Sequence, residues 1–284
     1  MQFDLAATYT VFLRTIRDAQ RFHGDGDGNM PDYAPAFGNG LTGELNPAEQ
    51  LADPGWAAAY ALLVEYLFEF YGDTRVWEDH YPHVAQYIDY VVANATSPDG
   101  LFTYSRFGDW CAFKWLPHTV ENSGMGGCYG LSPLSSSFFF ARQLSVLQRA
   151  AGRLGLVQDE ARWGGLLSNV TRAFKRAFMQ PDGSFSDNAN GQGTQAVMGS
   201  QALALAYPRN TGGGLSREDD QGLLSADERS VVGNALQNNI AAHGYNPYAG
   251  ELSLTYLFDG LQEQGRPDAA VAMASNPSQP GCVS

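Results

Sequence analysis

The sequence predicts an all-α fold: a toroid of antiparallel helical hairpins with long loops and short β pieces on one face. Three observations lead there. Apolar residues recur at helical spacing nearly throughout the 284 residues. Tight turns such as Gly72-Asp73 alternate with long stretches rich in Gly, Pro and polar residues at 23–54, 97–133 and 208–225. Asp-Gly followed by a short extended piece recurs at Asp27, Asp99 and Asp182, a weak internal repeat of hairpins. Hairpins joined tightly at one end and loosely at the other gather their long loops on one face, where function usually resides.

The elements follow in order. Residues 3–22 place Phe3, Ala7, Phe12, Leu13, Ile16 and Ala19 on one broad stripe. The stretch 55–71, GWAAAYALLVEYLFEFY, is apolar on most sides and reads as a helix covered on two faces. Gly72-Asp73 stops it, and Asp73 or Thr74 can cap the next helix, which runs to about Ala95 with a kink or break expected at Pro82. Further helices are expected at about 134–154, 158–179, 194–207, 226–242, 250–264 and 267–275. Strand signals are confined to Leu101–Tyr104 and Ser184–Ser186. No domain boundary is visible, so 1–284 reads as one domain.

Composition narrows the function. Thirty Asp plus Glu against seventeen Lys plus Arg give a net charge of −13. Such a surface repels phosphate backbones and anionic lipid heads, which argues against nucleic acid or a membrane as partner. No apolar run reaches the length of a transmembrane helix. Met1–Thr10 lacks the pattern of a signal peptide, so export would require a leader upstream of this chain, and the compartment stays open. A bridge between Cys111 and Cys128 fits only an exported protein; with Cys282, three ordinary small side chains is the simpler reading. Asn94-Ala-Thr96 and Asn169-Val-Thr171 match the N-glycosylation acceptor.

Several motifs have bland readings. Gly38-Asn-Gly40-Leu-Thr-Gly43 follows no strand and opens no helix, and Gly191–Ala196 has no parallel sheet around it, so both read as loops. Asp25-Gly-Asp27-Gly-Asn29 starts like a calcium loop, but Ala36 stands where the twelfth-position glutamate belongs. His80 and His83 flank Pro82 without a completing carboxylate and read as a solvated helix end. The sequence calls for no metal and no cofactor.

Aromatic and acidic residues in the long loops remain. Asp53-Pro-Gly-Trp56 enters the buried helix, and Phe107-Gly-Asp109-Trp110 follows the Asp99 turn. Aromatic faces stack on the C–H surfaces of sugar rings, and carboxylates accept hydrogen bonds from hydroxyls. The partner that fits is a neutral carbohydrate bound by Asp53, Trp56, Asp109 and Trp110. The competing reading makes Trp56 a core residue and Asp53 a helix N-cap.

These segments resemble a family. Phe12–Gln20, Asp27-Gly-Asn-Met-Pro-Asp-Tyr-Ala-Pro35, Asp53-Pro-Gly-Trp56, Tyr71-Gly-Asp-Thr-Arg-Val76 and Phe107-Gly-Asp-Trp110 stand in the order and spacing of the bacterial and fungal α-L-rhamnosidases, glycoside hydrolase family 78. Ala150–Gly155, Thr194-Gln195 and Tyr248-Ala-Gly250 extend the likeness more loosely over nearly the whole chain. The resemblance implies an (α/α)6 toroid and rhamnose-containing glycosides as substrates. It also implies inverting hydrolysis by two carboxyl groups roughly 6.5–9.5 Å apart, one protonating the leaving oxygen and one activating water. Trp56 and Trp110 match tryptophans lining the family's rhamnose pocket, with Asp109 beside the second.

The family's general acid lies in a segment with an Arg-Asp-Glu core before the first helix seen here, and its general base in a Thr-Thr-x-Trp-Glu segment after the last. Neither occurs in this sequence, which ends Asn276-Pro-Ser-Gln-Pro-Gly-Cys-Val-Ser284. Glu121, Glu251 and Asp53 align with neither position, so the catalytic residues stay unknown. The expectation is an incomplete toroid of about nine helices instead of twelve, truncated at both ends and impaired in hydrolysis. Self-association is expected through helix faces left bare at 3–22 and 250–275. The alternatives are a sugar-binding pseudoenzyme and a toroid glycosidase of other sugar specificity.

Overall fold

The computed structural model describes residues 4–22, 26–32, 34–35, 51–102, 104–105, 107–109, 132–187, 197–208 and 222–277. Among these residues nine helices follow in order: α1 (Ala6–Phe22), α2 (Pro54–Tyr71), α3 (Arg75–Asn94), α4 (Pro133–Arg153), α5 (Val157–Phe178), α6 (Val197–Leu205), α7 (Ala226–Ala242), α8 (Glu251–Glu263) and α9 (Pro267–Ala274). The all-α expectation holds.

Burial separates two layers. α4 buries 16 of its 21 residues, whereas α7 buries three of 17. The inner helices α2, α4, α6 and α8 pack in succession, and each carries the next helix outside it: α3, α5, α7 and α9. α1 lies against α2 and α3. The inner layer meets through aromatic rings. Phe138 of α4 packs edge-on to Phe139 at 5.1 Å and to Tyr256 of α8 at 5.0 Å, and Tyr207 joins Phe138 to Phe174 of α5. Phe138 is fully buried, a contribution of about 2–3 kcal/mol from apolar area alone.

The hairpin repeat is legible in the backbone. Single antiparallel bridges, Thr96 to Phe102 and Met179 to Phe185, close the two later Asp-Gly turns, so among the described residues the expected strand pieces amount to one pair each. In both turns an amide returns to a carbonyl four residues on, Ser97 to Leu101 and Gln180 to Ser184, each at 2.8 Å. Gly100 and Gly183 supply the positive φ, 93° and 83°, that lets the chain reverse.

Local detail departs from expectation at the start of α1, at Pro82 and at His80. α1 starts at Ala6 rather than residue 3; of the helix expected at about 194–207, Val197–Leu205 is helical and 194–196 lie outside the described residues. Thr74 occupies the cap position of α3 without a side-chain bond; the Asp73 carboxylate accepts from the Arg75 amide at 3.1 Å instead. α3 runs through Pro82 without ending. The carbonyl that Pro82 deprives of a donor belongs to Glu78, and both residues are exposed, so water can serve it. His80 is not solvated: it is 3% exposed, its Nδ1 lies 2.8 Å from the Tyr60 hydroxyl, and burial lowers its pKa to about 4.

Candidate functional site

The N-terminal ends of α2 and α8 meet at one end of the inner layer, tied together by residues 107–109. At α2, Asp53 is the N-cap, its Oδ1 accepting from the Gly55 amide at 3.0 Å. Pro54 fills the first helical position, where an amide would have no partner. The other oxygen of Asp53 accepts from the amides of Phe107 and Gly108 at 2.9 and 3.3 Å, and the Asp53 amide donates to Asp32 at 3.0 Å. Asp53 is 1% exposed. It therefore holds the 107–109 segment onto the start of α2.

Asp109 does the same at α8. Its carboxylate accepts from the amides of Gly250 at 3.0 Å and Ser253 at 2.9 Å and from the Ser253 hydroxyl. A negative group at a helix N-terminus satisfies orphan amides and meets the positive end of the dipole. The fit admits only glycine at 250: a Cβ there would lie 2.2 Å from the Asp109 carbonyl oxygen. Asp109 is fully buried.

Trp56 sits one turn into α2 and is 36% exposed. Its ring packs edge-on against Phe107, centroids 5.9 Å apart at 75°. Asp53 thus fixes Trp56 twice, by capping its helix and by seating the phenylalanine beside it. Trp56 borders a groove of about 500 Å³ that runs between α2 and α8, with Glu251 at the same end.

A third inner helix is fixed similarly. At α4, Ser132 caps the Ser135 amide at 3.2 Å, and the Asp187 carboxylate accepts from the Leu134 amide at 2.9 Å. Asp187 is 4% exposed, and burial, with Asp109 adding negative charge nearby, pushes its pKa up to about 7. Its second oxygen finds no hydrogen-bond partner among the described residues. The buried Tyr87 hydroxyl likewise finds none there, and desolvation raises its pKa well above the ordinary value, with Asp53 and Asp32 adding to the rise.

Of the four residues expected to bind sugar, Asp53, Trp56 and Asp109 are brought together, with both carboxylates turned to backbone donors. Trp110 lies outside the described residues, as do Cys111, Cys128, Cys282, Glu121 and the two glycine-rich loops. Asn94 and Asn169 are exposed. Sequence reasoning misses Phe107 as the ring seating Trp56, Ser253 as the partner of Asp109, and Asp187. Phe107 at least opens the Phe107-Gly-Asp-Trp110 motif; the other two give no local signal. Among the described residues no three His, Cys, Asp or Glu side chains gather as a metal site would need, and no helix is long and apolar enough to cross a membrane.

Residues 1–283 match the family described as the bacterial alpha-L-rhamnosidase 6 hairpin glycosidase domain. An alpha-L-rhamnosidase of Alteromonas sp. (strain LOR) is 26% identical over 267 residues, 93% of this chain and 25% of that protein. The fold superposes on an α-L-rhamnosidase structure from Dictyoglumus thermophilum with a TM-score of 0.74 at 24% identity, over 99% of this chain and 27% of that one. It also superposes on a Streptomyces avermitilis α-L-rhamnosidase complexed with L-rhamnose, with a TM-score of 0.69 at 21% identity, over 99% of this chain and 22% of that one. The chain spans about a quarter of the length of the relatives it matches. With inner and outer helices paired into hairpins and the match running from end to end, the chain belongs to the α-L-rhamnosidase six-hairpin glycosidase family.

Proposed function

We propose that this chain supplies the sugar-binding face of an α-L-rhamnosidase and engages a terminal α-L-rhamnosyl residue of a glycoside. The observation that carries the reading is Trp56: a large aromatic ring, held edge-on by Phe107 at the start of an inner helix, with over a third of its surface open beside a groove. An immobilised ring of this kind stacks on the C–H face of a pyranose at little entropic cost. Trp110, next to the anchored Asp109, is the second ring of the proposed pocket. Asp53 and Asp109 serve as positioning residues, since their carboxylates are buried on backbone donors.

Hydrolysis by this family is proposed to follow the inverting route, in which a carboxylic acid protonates the leaving oxygen while a carboxylate activates water on the opposite face of the ring. Asp53 and Asp109 are unsuited to either role, because neither reaches solvent. The chain by itself is therefore proposed to bind rhamnosides without cleaving them, and the occupied carboxylates favour this binding reading over unaided catalysis. Incubation with a chromogenic α-L-rhamnoside tests it: the proposal expects no release of the chromophore above background. Steady turnover by the purified chain would contradict it.

A further inference from the structure

A pocket of about 440 Å³ opens on the outer layer, where the end of α3 and the Asp99 turn face the C-terminal half of α5. Cavities that hold small molecules run from roughly 300 to 1,000 Å³, so a sugar ring has room. All its walls come from the interior of the sequence, between residues 92 and 176. It shares no residue with the groove beside Trp56. Half-buried Val92 and Leu166, with exposed Pro98 at the turn, give the apolar surface on which the C–H face of a pyranose packs. Thr96, Ser97 and Asn169 bring hydroxyl and amide groups to the rim.

Charge marks the rim further. Arg176 is paired with Asp99 at 2.6 Å, and the Ser97 hydroxyl donates to the same carboxylate. Arg172 stands one turn earlier on the same face of α5. It donates to the neutral amide oxygen of Asn169 and meets no carboxylate among the described residues. An exposed guanidinium therefore keeps its charge at the mouth of a pocket, on a molecule whose net charge is −13. The planar fork of a guanidinium matches the two oxygens of a carboxylate. A dianion such as a phosphate would meet Asp99 in the same rim, so the charge that fits is a single one.

We infer that this pocket is a second carbohydrate site, one that takes a pyranose bearing a carboxylate: a uronic acid residue, its carboxylate on Arg172 and its ring against Val92 and Leu166. The site stands apart from the rhamnose-binding face and does not depend on that reading. Ring and charge act together here. The apolar wall alone would hold a neutral sugar weakly, and an exposed arginine alone would hold an anion only in low salt.

Calorimetric titration of the chain with D-glucuronate, beside neutral D-glucose and plain acetate, tests the site. Glucuronate is expected to bind about tenfold or more tightly than either comparison compound. Arg172→Gln changes an exposed side chain and is expected to weaken glucuronate binding about tenfold, with helical circular dichroism unchanged. Arg162→Gln removes the same charge from the same helix outside the pocket and should leave the affinity as it is. Trp56→Ala should also leave it unchanged, which separates this site from the one proposed for rhamnose. Glucose bound as tightly as glucuronate would overturn the role of the carboxylate, and with it the inference. Acetate bound as tightly would leave a simple anion contact and overturn the sugar site. Unchanged affinity in Arg172→Gln, or no saturable binding of glucuronate, would overturn it as well.

Discussion

Replacing Asp187 with asparagine should stabilise the protein, and increasingly so as pH rises. Asp187 is 4% exposed and holds the start of α4 through its bond to the Leu134 amide. Its folded pKa is raised from 3.8 to about 7, chiefly by burial. Below pH 4 both folded and unfolded chains carry the proton. Between pH 4 and 7 the folded chain keeps a proton that the unfolded chain has released, so this group's effect on stability becomes more unfavourable as pH rises; above 7 the loss is complete. A rise of that size corresponds to about 4 kcal/mol at most. Asparagine keeps an oxygen for the Leu134 amide and never ionises. The gap in unfolding free energy between Asp187→Asn and wild type should widen by about 2 kcal/mol from pH 5.5 to pH 8. Urea denaturation followed by circular dichroism at several pH values measures it. Taking the difference removes the opposite trend from Asp99 and Glu228, whose pKa values are lowered by their hydrogen bonds to Ser97 and Lys175. A gap that is flat with pH, or that narrows, would show that Asp187 is not a buried acid poised near neutrality.

Other changes probe the same face. Trp56→Ala should weaken L-rhamnose binding about 5- to 30-fold, or 1–2 kcal/mol, through lost apolar contact, as read by calorimetry. Asp109→Ala leaves the amides of Gly250 and Ser253 without their acceptor and should lower unfolding free energy by about 3–5 kcal/mol in urea titration. Gly250→Ala drives a methyl group into Asp109 and should cost about 1–3 kcal/mol, with amide exchange at the start of α8 accelerating.

Much of the fold is readable from the sequence because it is local. The all-round apolar stretch of α2, its Asp53 cap and the Gly72 stop all lie within twenty residues, and each behaves as its chemistry requires. The Asp99 and Asp182 turns are legible for the same reason, although among the described residues each carries a single bridge rather than a strand. Long-range pairing leaves no comparable trace. Asp109 joins Ser253 across 144 positions, and nothing near either residue marks the other. Asp109 and Asp53 read as sugar ligands because the sequence shows acids among aromatics. The Asp53 cap is readable locally, but only the fold reveals that the start of α8 claims the oxygens of Asp109. His80 misleads in the same way, since its partner Tyr60 lies on the facing helix.

The most direct test is a calorimetric titration of the purified chain with L-rhamnose, run beside Trp56→Ala. Saturable binding of L-rhamnose that falls at least fivefold in the variant is the result expected of a rhamnose-binding face built on Trp56. Absence of heat from a monodisperse, fully helical protein, or equal affinity in the variant, would contradict that assignment.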